Sequence, residues 1–486
     1  MPANFAPSAT DMLRFGPEII LTVMGTLLMV LDPLFSRRLP RLFGHISIAT
    51  LIAAIFAAIG ANGVPGFAFS NLLVIDGFGT YFRILVLAIG ILTVLSSYRY
   101  LSREQADTGE YHALVLFSIM GQCLMVTAND LIMIFIGLEI SSIASYVLSG
   151  YLRDDKRNNE ASLKYFLLGS FATGFLLYGV AIIYGLTGST QLPAIHNALT
   201  DPATSLMVAG VAAALMFVGL AFKVSGAPFQ IWAPDVYQGA PAPISAFMAT
   251  GPKAAAFAIF LRIFLTAFDR ISATWMPIVW IVALLSMTIG NFAALTQNNL
   301  KRMLAYSSIA HAGYILVALA SDSDFGTSAA MFYLAAYALM NLGAFAVIIY
   351  ISGKGEKHLR IEDLAGLGQR QPFTAAMMTI FLLSFIGVPL TGGFFGKFYI
   401  FRAALHSGLT WLTVLGLLNS AVAAYYYLRL MVVMYMHEPG EVTKDLESPS
   451  PALKAALVLP ALGTFFLGIL PGAVLSFTQT AASLVK

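Results

Sequence analysis

A chain of 486 residues that is 58% hydrophobic and only 10% charged carries more apolar side chain than a water-soluble domain can cover, which makes it an integral membrane protein. Its net charge of +3 is small and dispersed, which excludes nucleic acid as a partner. The single cysteine, Cys123, excludes an internal disulfide and cannot alone supply an iron–sulfur cluster or a thiolate zinc site, so any redox chemistry belongs to another chain.

The leading segment carries Asp11 and Arg14, and the first apolar run is followed directly by Arg37 and Arg38. It therefore reads as a retained helix and not as a cleavable signal. A helix needs about 20 apolar residues to cross a ~30 Å hydrocarbon layer, and about fourteen such windows recur along the chain. They fall near 17–35, 42–61, 78–98, 111–128, 130–151, 161–186, 205–239, 243–268, 274–296, 301–320, 327–351, 373–405, 409–436 and 451–476. The windows at 205–239 and 373–405 are too long for one straight span. The longest polar stretches, Ser352 to Gln371 and His437 to Ser450, are too short to bury a core of their own, so a single all-α polytopic membrane domain is expected.

Basic residues gather in alternate connections: Arg37, Arg38 and Arg41; Arg99 and Arg103; Arg153, Lys156 and Arg157; Lys301 and Arg302; Lys354, Lys357, Arg360 and Arg370; and Lys444. The intervening connections, such as Asn62 to Gly77 and Thr187 to Thr204, hold none. The positive-inside rule then puts the first set in the cytoplasm and both termini outside.

The two overlong windows echo each other. "KVSGAPFQIW" from Lys223 and "SFIGVPLTGG" from Ser384 share a Gly-x-Pro, at Gly226 to Pro228 and Gly387 to Pro389. Proline removes a backbone donor and collides with the preceding turn, so each segment is expected to split into two half-helices. Broken helices at corresponding places in two halves point to an inverted repeat around a transport path. The expected organisation is a three-helix segment at 1–110, five-helix repeats at 111–268 and 269–437, and a terminal helix at 438–486. Two independent kinks would give the same motif, glycine and proline being common in membrane helices.

An ionisable side chain at bilayer depth costs at least about 2.5 kcal/mol, so unneeded ones are rare. Glu139 lies in "LIMIFIGLEISSIASYVLSGY", with Ser142 and Tyr146 on the same helical face. Lys223 directly precedes the first break. The two read as a functional acid–base pair, or as a neutral buried acid and its structural partner. Lys253, in "ATGPKAAAFAIF", falls about ten residues into its span, near mid-depth. Snorkelling is its plain explanation; a proton-exchanging amine is the other. His311 is flanked by Ser307, Ser308 and Tyr314, which suits a proton relay or an ordinary core histidine. Lys397 follows Pro389, Gly392, Gly393 and Gly396, where irregular backbone at depth implies a wet cavity. Capping the carbonyl end of a half-helix is its structural alternative.

The strings "GLEISSIASYVLSGY", "EASLKYFLLGS", "KVSGAPFQIWAPDVYQGAPAPISAF", "NNLKRMLAYSSIAHAGYILVAL" and "SFIGVPLTGGFFGKFYIF" resemble the subunit N (NuoN) family of bacterial NADH:quinone oxidoreductase, respiratory complex I. Sister antiporter-like subunits and multisubunit cation/proton antiporters share the architecture, and "PDVYQGAPAP" points to subunit N. The resemblance implies fourteen helices in two inverted five-helix repeats, with helices 7 and 12 interrupted, in the bacterial inner membrane. It implies a hydrophilic axis of Glu139, Lys223, Lys253, His311 and Lys397, with Glu139 and Lys223 as the coupled pair, Lys253 as the bridge and the last two as the exit half. Gln230 stands where many relatives have histidine. Partners implied are other complex I membrane subunits, including the antiporter-like sisters, and lipids. No cofactor is expected on this chain; NADH, FMN, iron–sulfur clusters and quinone belong on or near other subunits. The expected mechanism is electrostatic: separating Glu139 from Lys223 sends a proton toward Lys253 and Lys397. The rival readings are a stand-alone sodium/proton antiporter, for which the lysine-rich axis offers few acidic ligands, and a scaffold with buried salt bridges.

Overall fold

The computed structural model describes residues 7–35, 41–444 and 446–483; Arg37 and Arg38 lie outside the described residues. The spanning helices are α1 (Gly16–Phe35), α2 (Leu42–Asn62), α3 (Gly77–Glu104), α4 (Gly109–Thr127), α5 (Leu131–Ser149), α6 (Lys156–Thr187), α7a (Leu206–Val224) with α7b (Trp232–Gly239), α8 (Ala242–Arg262), α9 (Ser272–Leu295), α10 (Leu300–Ala320), α11 (Asp324–Ile351), α12a (Pro372–Ile386) with α12b (Gly392–His406), α13 (Thr410–Met436) and α14 (Pro451–Ile469). Among the described residues thirteen helices are long and apolar enough to cross a membrane. The broken α12 is the further crossing that makes fourteen.

Helix starts follow capping chemistry. The side chains of Asp76, Asp130, Ser205, Asn299, Ser323 and Ser450 each accept a hydrogen bond from a backbone N–H in the first turn of the helix they precede. Burial then sorts the helices. Every residue of α8 is buried, and α10 and α11 nearly so, whereas α1, α2, α6 and α14 present apolar side chains outward, as lipid-facing helices do.

Both expected breaks are present. α7a ends at Ser225, whose φ of 60° stops the helix, and the chain passes through Ala227 and Pro228 before α7b. The Ala227 N–H donates to Ser286 Oγ at 2.8 Å, and Trp232 Nε1 donates to the Phe222 carbonyl at 2.9 Å. α12a ends at Gly387, with φ 91°. Beyond Pro389 the chain restarts so close to α12a that a Cβ on Gly393 would lie 1.8 Å from the Ser384 carbonyl oxygen. Only glycine fits there.

Two features depart from the expected all-α layout. An antiparallel hairpin, β1 (Gly66–Ala68) and β2 (Leu73–Ile75), closes the α2–α3 connection, turning through Phe69, Ser70 and Asn71 at positive φ. Arg14 stitches it down by donating to the carbonyls of Val64, Pro65 and Phe67. The window at 451–476 also divides, because Pro471 starts a new helix, Pro471–Ala482, after Leu470. The basic connections gather on one face: Arg103 reaches Ser352 Oγ, Arg157 the Gly355 carbonyl, and Arg99 Glu447.

Candidate functional site

The centre of the molecule holds a row of buried amines and one imidazole, each resting on hydroxyls or freed carbonyls. Lys223, in the last turn of α7a, donates from Nζ to Ser142 Oγ of α5 at 2.6 Å and to Tyr165 Oη of α6 at 3.4 Å. The rings of Tyr146 and Tyr165 lie 5.7 and 5.4 Å from the same nitrogen, close enough for cation–π attraction. The last carbonyls of α7a are taken up locally: Ala221 accepts from the Gly226 N–H, and Phe222 accepts from the Ser225 N–H and Trp232 Nε1.

Glu139 stands one turn before Ser142 on α5. It makes no ion pair with Lys223 among the described residues, and its Oε1 is buried without a hydrogen-bond partner. Ser142, one turn further along α5, is the residue of that helix that meets the amine. Ser225 Oγ, Gln230 Oε1 and Tyr237 Oη, all at or just beyond the α7 break, are likewise buried without partners. Buried polar atoms of this kind are ordinarily satisfied by ordered water.

α10 forms the spine of the second half. Ser308, His311 and Tyr314 follow at intervals of three residues on one face. Lys253 of α8 donates from Nζ to Ser308 Oγ and, at 3.2 Å, to the Ser308 carbonyl. His311 is bridged between two tyrosines: its Nδ1 lies 2.5 Å from Tyr333 Oη of α11 and its Nε2 3.1 Å from Tyr427 Oη of α13. Tyr427 Oη continues to Ser307 Oγ. Lys397 of α12b lies over the Tyr314 ring, 4.9 Å from Nζ to its centroid. It donates to the freed carbonyls of Phe385 and Ile386 at 2.8 and 3.1 Å and to Ser420 Oγ of α13 at 2.7 Å. The capping alternative for Lys397 thus describes its geometry, and the site is open as well: Lys397 and Ser420 line a cavity of about 590 Å³ with Gly387 and Arg402.

Lys253, His311 and Lys397 are brought together along α10, while Glu139 and Lys223 form a second group at the α7 break. Between them the Trp232 ring stacks on Tyr165 at 4.5 Å and meets Tyr237 edge-on. Tyr165, Tyr333, Tyr427 and Ser420 were not signalled by the sequence, since hydroxyls cost little in a membrane helix and announce no partner. Three ion pairs were also missed: Glu18–Arg83, fully buried at 2.8 Å; Asp76–Arg262 at 2.9 Å; and Lys301–Glu356 at 2.7 Å. Glu18 and Arg83 lie in apolar runs, and the insertion cost used for Lys253 would have found them.

The family model for the membrane part of NADH:quinone oxidoreductase and Mrp antiporters matches residues 128–423, a stretch that contains all five site residues. The chain is 66% identical, over the whole of both chains, to NADH-quinone oxidoreductase subunit N 1 of Solibacter usitatus. The chain belongs to the subunit N family of NADH-quinone oxidoreductase. Another family member, subunit N of Rhodospirillum rubrum, is 41% identical over 96% of both chains. Among solved structures, a chain of respiratory complex I from Thermus thermophilus superposes with a TM-score of 0.81 at 35% identity, covering 95% of this chain and 98% of that one. A chain of the Mrp complex from Dietzia gives a TM-score of 0.84 at 23% identity, with 98% of each chain covered; this likeness is one of fold.

Proposed function

We propose that this chain moves protons across the membrane as a non-redox subunit of NADH-quinone oxidoreductase, through Glu139, Lys223, Lys253, His311 and Lys397. The observation that carries the reading is the α10 face: Ser308, His311 and Tyr314 engage Lys253, two tyrosines and Lys397 in succession. Among the described residues the hydrogen-bond partners of these nitrogens are hydroxyls and backbone carbonyls. Hydroxyls both donate and accept, so a proton leaving one nitrogen finds an acceptor that can pass one on. Moving the Glu139 carboxylate toward or away from Lys223 changes how strongly the ammonium form is favoured. That movement is the input. NADH oxidation and quinone reduction, with their cofactors, take place on other subunits, and the neighbours in the membrane are the antiporter-like sisters.

The same reading takes 111–268 and 269–437 as inverted repeats flanked by 1–110 and 438–486. Its support is the matched position of the breaks and a matched pair of close helix contacts. Gly121 and Gly137 hold α4 against α5, and Gly290 and Gly313 hold α9 against α10; a Cβ at any of the four would lie under 3 Å from a neighbour. The arginine-rich face is assigned to the cytoplasm and both termini to the other side.

The test is Lys223→Ala and Lys397→Ala in the assembled complex, reconstituted in liposomes, with proton uptake and quinone reduction measured together. Pumping is expected to fall in both. Full coupled turnover with unchanged stoichiometry in both variants would mean a scaffold. Sodium exchange by the purified chain alone would mean an antiporter.

A further inference from the structure

The two groups of site residues are separated by an aromatic partition, the indole of Trp232 on α7b. One side of it stacks on Tyr165, which meets Lys223, and Tyr237 lies edge-on to it with ring centres 5.8 Å apart. An indole has one N–H donor and no acceptor, and that N–H is taken by the Phe222 carbonyl. Trp232 therefore cannot relay a proton. A route from Lys223 to Lys253 has to pass round the ring, through groups that both donate and accept.

Tyr237 stands at the edge of that partition. It is fully buried on α7b, a half-helix that packs against α6, α8 and α10. The hydroxyls of Ser225, at the end of α7a, and of Ser308, on α10, stand beside its own, yet among the described residues Tyr237 Oη makes no direct hydrogen bond. Ser225 follows Lys223 by two residues, and its Oγ is equally without a partner. Ser308 is the residue that receives Lys253 Nζ. Buried hydroxyls that stand beside one another short of contact are joined through water. Tyr337 also stands beside Ser308, but its hydroxyl already accepts from Asn341 Nδ2 at 2.8 Å. Tyr237 keeps both its donor and its acceptor positions open. Packing does not explain its hydroxyl either, because leaving a buried O–H unpaired costs stability that a phenylalanine would not lose.

We propose that Tyr237 is a further proton-transfer residue of this chain, carrying protons round Trp232 from the Lys223 side to Ser308 and Lys253. The inference rests on the proton-translocation reading above. In each transfer Tyr237 Oη takes up a proton from the Ser225 side as it gives its own toward Ser308, and Ser308 Oγ does the same toward the Lys253 amine. Every O–H bond that breaks is replaced on the same oxygen, so neither a phenolate nor an alkoxide is left behind. The net change is one proton lost from the Lys223 ammonium and one gained by a neutral Lys253.

The test is Tyr237→Phe in the assembled complex, beside Lys223→Ala, with proton uptake into liposomes and the unfolding temperature in detergent both measured. Phenylalanine keeps the edge contact with Trp232 and removes only the unpaired hydroxyl. Proton uptake is expected to fall at least about tenfold, with the unfolding temperature unchanged or raised. Normal uptake in Tyr237→Phe beside impaired uptake in Lys223→Ala overturns the inference and leaves the proton-translocation reading standing. Normal uptake in both variants removes that reading, and the inference falls with it. A fall in uptake accompanied by a lowered unfolding temperature in Tyr237→Phe assigns the hydroxyl to packing and overturns the inference as well.

Discussion

Lys223 and Lys397 occupy comparable places beside their breaks, yet their surroundings differ in a way that makes them separable. Lys223 has one short acceptor, Ser142 Oγ, and one long one, whereas Lys397 has two carbonyls besides Ser420. Removing a hydrogen bond to a buried charged group costs about 1.5–3 kcal/mol when nothing replaces it. Ser142→Ala is therefore expected to slow proton translocation about tenfold, and Ser420→Ala by far less, both read as pumping rate in proteoliposomes. For His311, Tyr333→Phe with Tyr427→Phe removes both ring-nitrogen partners while keeping the rings. Translocation should drop in the double variant, with the complex still assembled. The five titratable positions were legible in the sequence because charge in an apolar run is costly and so conspicuous. Their partners were not: a serine or tyrosine costs little at depth, and nothing in "SSIASY" says which hydroxyl will face Lys223. The residue of α5 that meets the amine is Ser142.

At the level of the helices, the breaks were legible from Gly-x-Pro alone, since proline chemistry acts locally. What no local rule conveys is how closely the pieces approach. At Gly393 an alanine would press its methyl into the Ser384 carbonyl, while Gly472 has nothing within 4 Å of the added carbon. Gly393→Ala is expected to destabilise the complex by at least about 1–3 kcal/mol and Gly472→Ala to be neutral, with thermal unfolding in detergent as the measure. The hairpin at Gly66–Ile75 and the division at Pro471 escaped the hydropathy reading because a window of about 20 residues averages over segments that short.

Across the whole molecule, buried ion pairs fasten parts of the chain that are far apart in sequence. Glu356, in the connection after α11, accepts from Lys301 Nζ, the Tyr100 hydroxyl and the Ala242 N–H, so a single carboxylate gathers the ends of α3, α8 and α10. Glu356→Gln strands a fully buried ammonium and is expected to cost about 3–5 kcal/mol, seen as a lowered unfolding temperature. Replacing both members of the Glu18–Arg83 pair by leucine should be close to neutral, whereas Glu18→Leu alone should not, because the lone guanidinium then stays desolvated.

The complete enclosure of α8 limits how the centre can respond. A rod with neighbours on every side has no room to slide or tilt, and glycine-tight pairs stand in both halves of the bundle. On the proposed function, a signal reaching Lys253 is then expected to arrive as a change of electric field or a transferred proton, with α8 itself staying in place.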